Sequence, residues 1–411
     1  MAGLLAALAG GVAAVQPEVQ VGNDQIIDHE FDWGRDGVYC PSCNFGAGNA
    51  RLAYIDRDHN LWVGYVDYYS GDFVPSDGKA KLVDTNTVAP VEIGNGPEWM
   101  VSARGSELVY SRWTDGVPHS VSSFTLGYAR MSGQSPTGWV AGSVEGSQLR
   151  VMPVGTMDLG DATPSLHYQN VGIGGIPAAI YWRDFVRDAP AEVKLPFTNN
   201  DPGMTRRWIP GTRDIIITAP ALNPDTGLAF KQVFVYSTET GKKQQLTFDA
   251  TNKLWAFMWK APEFGNENVF FVMVGGTRID IYRNLPRADG TARWRVVHSV
   301  TGSAATPYIS SPEPFVHNGQ SWILFSLSAN PDLHDFVPSL IAVASADPAR
   351  PELRILSTDN EPVRARRDPE YFITANGPYI YYNRYILGAD QTQQINEGVF
   401  RVDTGLGPPL P

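Results

Sequence analysis

The sequence predicts an all-β protein: a seven-bladed β-propeller of four-stranded blades, its ring closed by an N-terminal strand. Three observations carry this. A Pro-containing opening recurs seven times at intervals near 50 residues, and each is followed by a short aromatic or β-branched run. No segment has the length and period of about 3.6 residues that a helix needs. With 43% hydrophobic and only 18% charged residues, 40 Gly and 31 Pro, the composition suits many short strands joined by tight turns.

The openings are Pro41, Pro97, Pro164, Pro210, Pro262, Pro312 and Pro369, spaced by 56, 67, 46, 52, 50 and 57 residues. The runs that follow are LAYI at Leu52, LVYS at Leu108, AAIY at Ala178, IIIT at Ile215, VFFV at Val269, WILF at Trp322 and YIYY at Tyr379. Such residues, bounded by Gly, Asn and Asp, read as strands. Third strands follow from Leu61, Val233, Ile279, Leu340 and Val399, and fourth strands from Lys81, Lys243, Arg293 and Glu352. Gly241 marks the turn of the clearest hairpin, where a positive φ costs glycine little. The last unit ends in GLGPPLP, too short and Pro-rich for a fourth strand. Residues 25–33, QIIDHEFDW, are expected to supply that outer strand and close the ring, which removes two free edges.

Residues 16–411 therefore read as one domain. Residues 1–15, MAGLLAALAGGVAAV, read as a signal-peptide remnant without its basic region, or as an apolar terminus; the first reading implies a secreted or periplasmic protein. No later apolar run is long enough to span a membrane, so no membrane partner is expected. Cys40 and Cys43 fit a local disulfide, or else two buried thiols, and lack the further ligands of a metal site. A net charge of −11 argues against nucleic acid as a partner.

In a propeller the turns leading to the innermost strands gather at one mouth, and concave, loop-built places are where ligands bind. Glu98, Glu263, Glu313 and Glu370 each directly follow an opening Pro, and Asp368 precedes one. Two uses compete for these carboxylates. They are catalytic groups, or they are recurrent packing residues that bond the backbone of the next blade; repetition favours packing. The unrepeated members, His167, the pair Arg206 and Arg207, and Asp368, therefore point more strongly to chemistry. Trp99 and Trp208 lie beside the openings, where aromatic faces stack on sugar rings or pack blade on blade. His334 with Asp332 and Asp335 is a weak cation set that would allow a structural calcium; no cofactor is expected.

Single blades resemble known carbohydrate-active propellers. VFVYSTETGKKQQLTFD, from Val233, resembles the blade hairpin of TolB-like propellers, a group that includes oligogalacturonate lyases. Ile309–Ser326, with Ser-Pro-Glu before an Asn-Gly turn and an aromatic strand, resembles the blade opening of furanosidase-type glycosidases, and Asp368–Phe372 has the same form. The stretch from Leu52 to Phe73 is similar to the first blade of ulvan-type and rhamnose–glucuronate lyases. The metal-binding His cluster of oligogalacturonate lyases is missing from this sequence.

What the resemblances imply is a secreted enzyme that cleaves glycosidic bonds in a polysaccharide or oligosaccharide. As a hydrolase it would use Glu313 and Asp368, with Glu370 beside them, as acid and base or nucleophile. As a lyase on a uronic acid, His167 or a Tyr would abstract the C5 proton while Arg206 or Arg207 neutralises the substrate carboxylate. Glu98, Trp99, Trp208 and Glu263 would bind substrate. The alternative is a non-catalytic propeller that binds glycans or proteins. The oligomeric state is unread.

Overall fold

In the computed structural model, the structure describes residues 16–32, 49–73, 80–89, 95–102, 105–131, 138–157, 163–170, 178–185, 191–197, 205–286, 292–332, 336–358, 362–388 and 393–410. A two-residue strand, β1 (Val19–Gln20), comes first. Blade 1 is β2 (Ile26–Phe31), β3 (Asn49–Asp56), β4 (Leu61–Asp67) and β5 (Lys81–Asp84). Blade 2 is β6 (Glu98–Ser102), β7 (Gly105–Trp113), β8 (Phe124–Met131) and β9 (Trp139–Ser143). Blade 3 is β10 (Arg150–Gly155), β11 (Ser165–Asn170), β12 (Ile180–Asp184) and β13 (Val193–Lys194). Blade 4 is β14 (Arg206–Trp208), β15 (Asp214–Leu222), β16 (Ala229–Ser237) and β17 (Lys243–Gln245). Blade 5 is β18 (Lys253–Ala261), β19 (Glu267–Val274), β20 (Arg278–Pro286) and β21 (Ala292–Thr301). Blade 6 is β22 (Tyr308–His317), β23 (Gln320–Ser328), β24 (Leu340–Ser345) and β25 (Leu353–Ile355). Blade 7 is β26 (Arg364–Thr374), β27 (Gly377–Leu387) and β28 (Gln394–Asp403), with β1 on its outer edge.

The protein is thus a seven-bladed propeller of four-stranded antiparallel blades. Its core is a set of wedges between blades rather than one centre. Phe31, Leu52 and Tyr54 of blade 1 pack on Phe372, Tyr381 and Val399 of blade 7. Trp259, Phe271 and Ile281 of blade 5 pack on Ile323, Phe325 and Ala342 of blade 6. The second strands are sandwiched on both faces, and every residue of β23 is buried. This is why their runs are continuously apolar instead of alternating.

Ring closure uses an N-terminal strand, but residues 25–33 are not that strand. Ile26–Phe31 is the innermost strand of blade 1, and β1 pairs with β28 through Val19↔Arg401 and Gln20↔Phe400. The reason lies in burial: the apolar side chains of β2 fill the wedge against blade 7, whereas both residues of β1 are exposed. The Val21 and Gly22 amides extend the pairing by donating to Val399 O at 2.9 and 3.1 Å. Gly398 (φ +98°) lets this crossing happen, because a Cβ there would collide with the carbonyls of Gly22 and Asn23.

The opening prolines occupy three different places. Pro97 directly precedes β6. Pro164, Pro210 and Pro262 follow the innermost strands of blades 3, 4 and 5, and Pro312 and Pro369 lie inside β22 and β26. Proline cannot donate to a strand ladder, so it settles at strand ends or bulges. In blade 3 the run at Ala178 belongs to the third strand, and β11 is the second. Pro41, Cys40, Cys43, His334 and residues 1–15 lie outside the described residues.

Candidate functional site: the central cavity

The seven innermost strands surround a cavity of about 740 Å³. It is lined by Asp28 and Glu30 of β2, Glu98 of β6, Val154 of β10, Arg207 of β14, Trp255 and Phe257 of β18, Glu313 of β22, and Asp368 and Glu370 of β26. Asp28 and Glu30 are two apart on one strand and so face the same way. His29, between them, turns into the wedge, where its Nδ1 lies 3.0 Å from Asn383 Oδ1.

Bulges aim the lining residues. The register of β10, β18, β22 and β26 slips at Val151/Val154, Leu254/Phe257, Ser310/Glu313 and Arg367/Glu370. At each slip one residue sits in the left-handed region: Met152 (φ 55°), Trp255 (φ 50°), Ser311 (φ 46°) and Asp368 (φ 53°). Ser311 and Asp368 each precede a proline, a position that disfavours compact backbone conformations. Such strain is concentrated here at the cavity wall.

The acids interact directly. Asp28 of blade 1 and Asp368 of blade 7 share a hydrogen bond; burial, then the Asp368 charge, pushes Asp28 well above its ordinary value, so Asp28 keeps its proton and donates it. A Cβ on Gly96 would collide with the Asp28 carboxylate, so glycine makes room for this contact. Glu370 is likewise pushed well up by burial and by Glu30 and Glu313, and hydrogen-bonds Glu313. Glu313 itself is pushed up to about 7, chiefly by burial and against the pull of Arg207, with Asp368 and Glu98 adding to the rise. Burial raises Glu98, and burial with Glu98 and Glu313 nearby raises Glu30 well above its usual range.

Arg207 stands among these groups. Its Nη2 lies 3.8 Å from Glu313 Oε1, and its guanidinium sits 5.2 Å above the Phe257 ring. Burial works to lower it, but Glu98, Glu313, Glu30 and Glu370 outweigh burial and hold it above its ordinary value. Arg206, the next residue, points away from the cavity: its Nε donates to His167 Nδ1 at 3.1 Å and its Nη2 to Met152 O at 3.1 Å. Burial and the neighbouring Arg207 bring Arg206 down to about 10.

Of the residues singled out from the sequence, Glu98, Trp99, Arg207, Trp208, Glu313, Asp368 and Glu370 line the cavity, while His167, Arg206 and Glu263 do not. His167 lies on the second strand of blade 3, fully buried, its ring stacked on Trp208 at 5.5 Å. Burial and the two arginines bring it well below 6.5, so it is a neutral acceptor for Arg206 inside the wedge. Glu263 leaves the ring in a short 3₁₀ turn, where its Oε2 accepts from Ser321 N (3.2 Å) and Oγ (2.9 Å) of the next blade. Trp99 and Trp208 are mostly consumed by packing. Their indole N–H groups donate to Glu30 O (3.1 Å) and Val154 O (2.9 Å) of the preceding blades.

Asp28, Glu30 and Phe257 were not foreseen, whereas Trp255 belongs to the tryptophans that the sequence places near openings or strand ends. The signal for the first two was present: acids spaced by two in a strand otherwise apolar, IIDHEF, mark a buried strand with a polar face. Among the described residues no group of three or more His, Cys, Asp or Glu is placed to hold a metal ion. No described helix is long and apolar enough to cross a membrane.

No protein-family model matches the chain. No curated protein does either. Among solved structures, that of polysaccharide lyase Uly1 superposes with a TM-score of 0.50 at 9% identity, covering 97% of this chain and 100% of that one. The β-propeller domain of Myceliophteria thermophila Cps50 (Swd1) gives 0.48 at 10% identity, covering 94% and 99%. TolB from Acinetobacter baumannii gives 0.37 at 13% identity, covering 89% and 79%. At such identities the likeness is one of fold.

Proposed function

We propose that the central cavity is the active site of a secreted glycoside hydrolase, with Glu313 as general acid and Asp368 as the second carboxylate. The observation that carries this reading is Glu313: a half-buried carboxyl pushed up to about 7, hydrogen-bonded to a second carboxyl and facing the central cavity. A group so tuned holds its proton at mildly acidic pH and can still release it. Glu313 passes that proton to the glycosidic oxygen as the bond from the anomeric carbon to that oxygen breaks. Asp368, the acceptor in its pair with Asp28, either bonds to the anomeric carbon until water displaces it or takes a proton from the attacking water.

Uronate elimination is less well supported. His167 is out of reach of the cavity, the wall tyrosines Tyr371 and Tyr385 are pushed up by burial and so hold their protons, and Arg207 is already shared among four carboxyls. A lectin-like scaffold is also less well supported, because its sites would repeat in every blade. Here the acids come from blades 1, 2, 6 and 7, while blade 5 offers aromatic rings.

The test is a panel of neutral, amino and acidic oligosaccharides with reducing-end and ultraviolet readouts. New reducing ends without ultraviolet absorbance are expected, with activity falling as pH rises through about 7. Glu313→Gln should lower kcat/KM by about 10²–10⁴-fold and remove that falling limb. Ultraviolet-absorbing products, no turnover of any glycan, or full activity in both Glu313→Gln and Asp368→Asn would sink the proposal.

A further inference from the structure

The cavity wall is chemically divided, and the division bears on which sugars can enter. Six carboxyls face it: Asp28, Glu30, Glu98, Glu313, Asp368 and Glu370. Of the four cations on the same wall, Arg366 gives its Nε and Nη2 to Glu18 at 2.7 and 2.9 Å, and Arg207 is divided among several acids. Arg367 lies over the Phe336 ring at 4.4 Å and near Asp28, and Lys260 is exposed, so the six carboxyls outnumber the cations. Two carboxyl pairs, Asp28 with Asp368 and Glu313 with Glu370, are held together by a hydrogen bond that only a shared proton can supply. A further anion placed here would meet the same repulsion that keeps those protons on.

A separate feature asks for a donor. Asn95, beside Glu98 on the cavity wall, donates through Nδ2 to Pro153 O at 3.3 Å, but its Oδ1 is buried without a hydrogen-bond partner. A buried acceptor left unmade is costly, and it adds to the excess of acceptors beside Glu98, which the Asn95 side chain also hydrogen-bonds. On blade 5, Trp255 provides an aromatic face, which attracts both sugar C–H faces and cations, while the Phe257 ring is already taken by Arg207 at 5.2 Å and Phe271 at 5.3 Å.

Resting on the glycosidase reading above, we propose that the cavity selects glycans bearing a free, protonated amine and turns uronates away. An ammonium supplies three N–H donors and a positive charge, so it can replace a shared proton between carboxyls with charge-assisted hydrogen bonds. Its binding therefore expels protons. An acetylated nitrogen keeps a single N–H and no charge, and loses that gain. A uronate adds negative charge and loses more.

The test is calorimetric binding at about pH 6 of three tetrasaccharides: glucosamine, N-acetylglucosamine and galacturonate. The glucosamine tetramer should bind about tenfold or more tighter than the acetylated one. Its binding should weaken with added salt, and its heat should depend on the buffer because protons are released. The galacturonate tetramer should not bind measurably. Glu30→Gln, with folding checked by thermal unfolding, should shrink the preference for the amine. Galacturonate binding as tightly as glucosamine, or equal affinity for the free and acetylated amines, overturns the proposal. The two readings fail separately. Preferential binding of the amine without new reducing ends removes hydrolysis and keeps the charge selectivity, whereas hydrolysis of galacturonate does the reverse. Binding of none of the three overturns the charge selectivity and leaves hydrolysis to be decided on the neutral glycans.

Discussion

Glu263 and Glu313 sit in the same dipeptide, Pro-Glu, yet the fold puts them to opposite uses. Pro262 comes after its innermost strand, so Glu263 is carried into a turn against Ser321 of blade 6; Pro312 lies within β22, so Glu313 faces the cavity. Removing the Glu263 carboxylate leaves the Ser321 amide and hydroxyl without their acceptor. Glu263→Ala should therefore lower the free energy of unfolding by about 1–3 kcal/mol in urea titrations, while kcat on the best glycan stays unchanged. A variant of full stability but reduced kcat would move Glu263 into the site. The sequence offered both roles for these glutamates without separating them, because the distinction is one of register, which a dipeptide does not carry. His167 shows the same limit. Being unrepeated suggested a catalytic role, but a neutral acceptor for one buried arginine is also unrepeated.

At the scale of the element, four of the seven innermost strands, β10, β18, β22 and β26, carry a single left-handed residue each. Ser311 is the least suited of these, being neither glycine nor Asp or Asn and lying directly before Pro312. Left-handed backbone costs an L-residue about 1–2 kcal/mol, and glycine in its place gives back about 0.5–1 kcal/mol in chain entropy. Ser311→Gly should accordingly raise stability by about 0.5–1 kcal/mol, and Ser311→Val should lower it, both read from urea midpoints; the reverse order would mean that the bulge is not strained. The aromatic and β-branched runs made the second strands easy to read, since being buried on both faces leaves a continuous apolar signature. The innermost strands were harder. Lys253–Ala261, KLWAFMWKA, has no alternation to expose it, and Arg206–Trp208 is too short for any period. The sequence shows Ile26–Phe31 as a strand but not that it pairs with β3, because the pairs that close the ring, Val19↔Arg401 and Gln20↔Phe400, join opposite ends of the chain and leave no local mark.

For the whole molecule, closure of the ring and the acids at its centre set opposing pH dependences. At the closure, burial pushes Glu18 up, but the Arg366 and Arg384 guanidiniums and the Tyr382 hydroxyl outweigh it and hold it below 4.5. Asp249, bound by Lys253, is likewise lowered. Such groups stabilise the fold above their unfolded values and lose that contribution as pH falls through their folded ones. The cavity works the other way. Asp28, Glu30, Glu98, Glu313 and Glu370 are all raised, so the folded state holds protons that the unfolded chain releases. Their contribution is complete below the ordinary glutamate value of 4.5 and is lost as pH climbs, through about 7 for Glu313. Against them, His29, His167, His298 and His317 are lowered by burial and add stability as pH climbs to 6.5. The decline due to the raised acids shows alone above that, so unfolding midpoints in urea should fall between about pH 7 and pH 8. Glu370→Gln, whose amide cannot ionise, should flatten that decline while leaving the acidic limb, which belongs to Glu18, Asp115, Asp249 and the histidines, in place. Midpoints that hold level or rise between about pH 7 and pH 8 would mean that the cavity carboxyls are not held protonated, and the case for Glu313 as an acid would lose its physical basis.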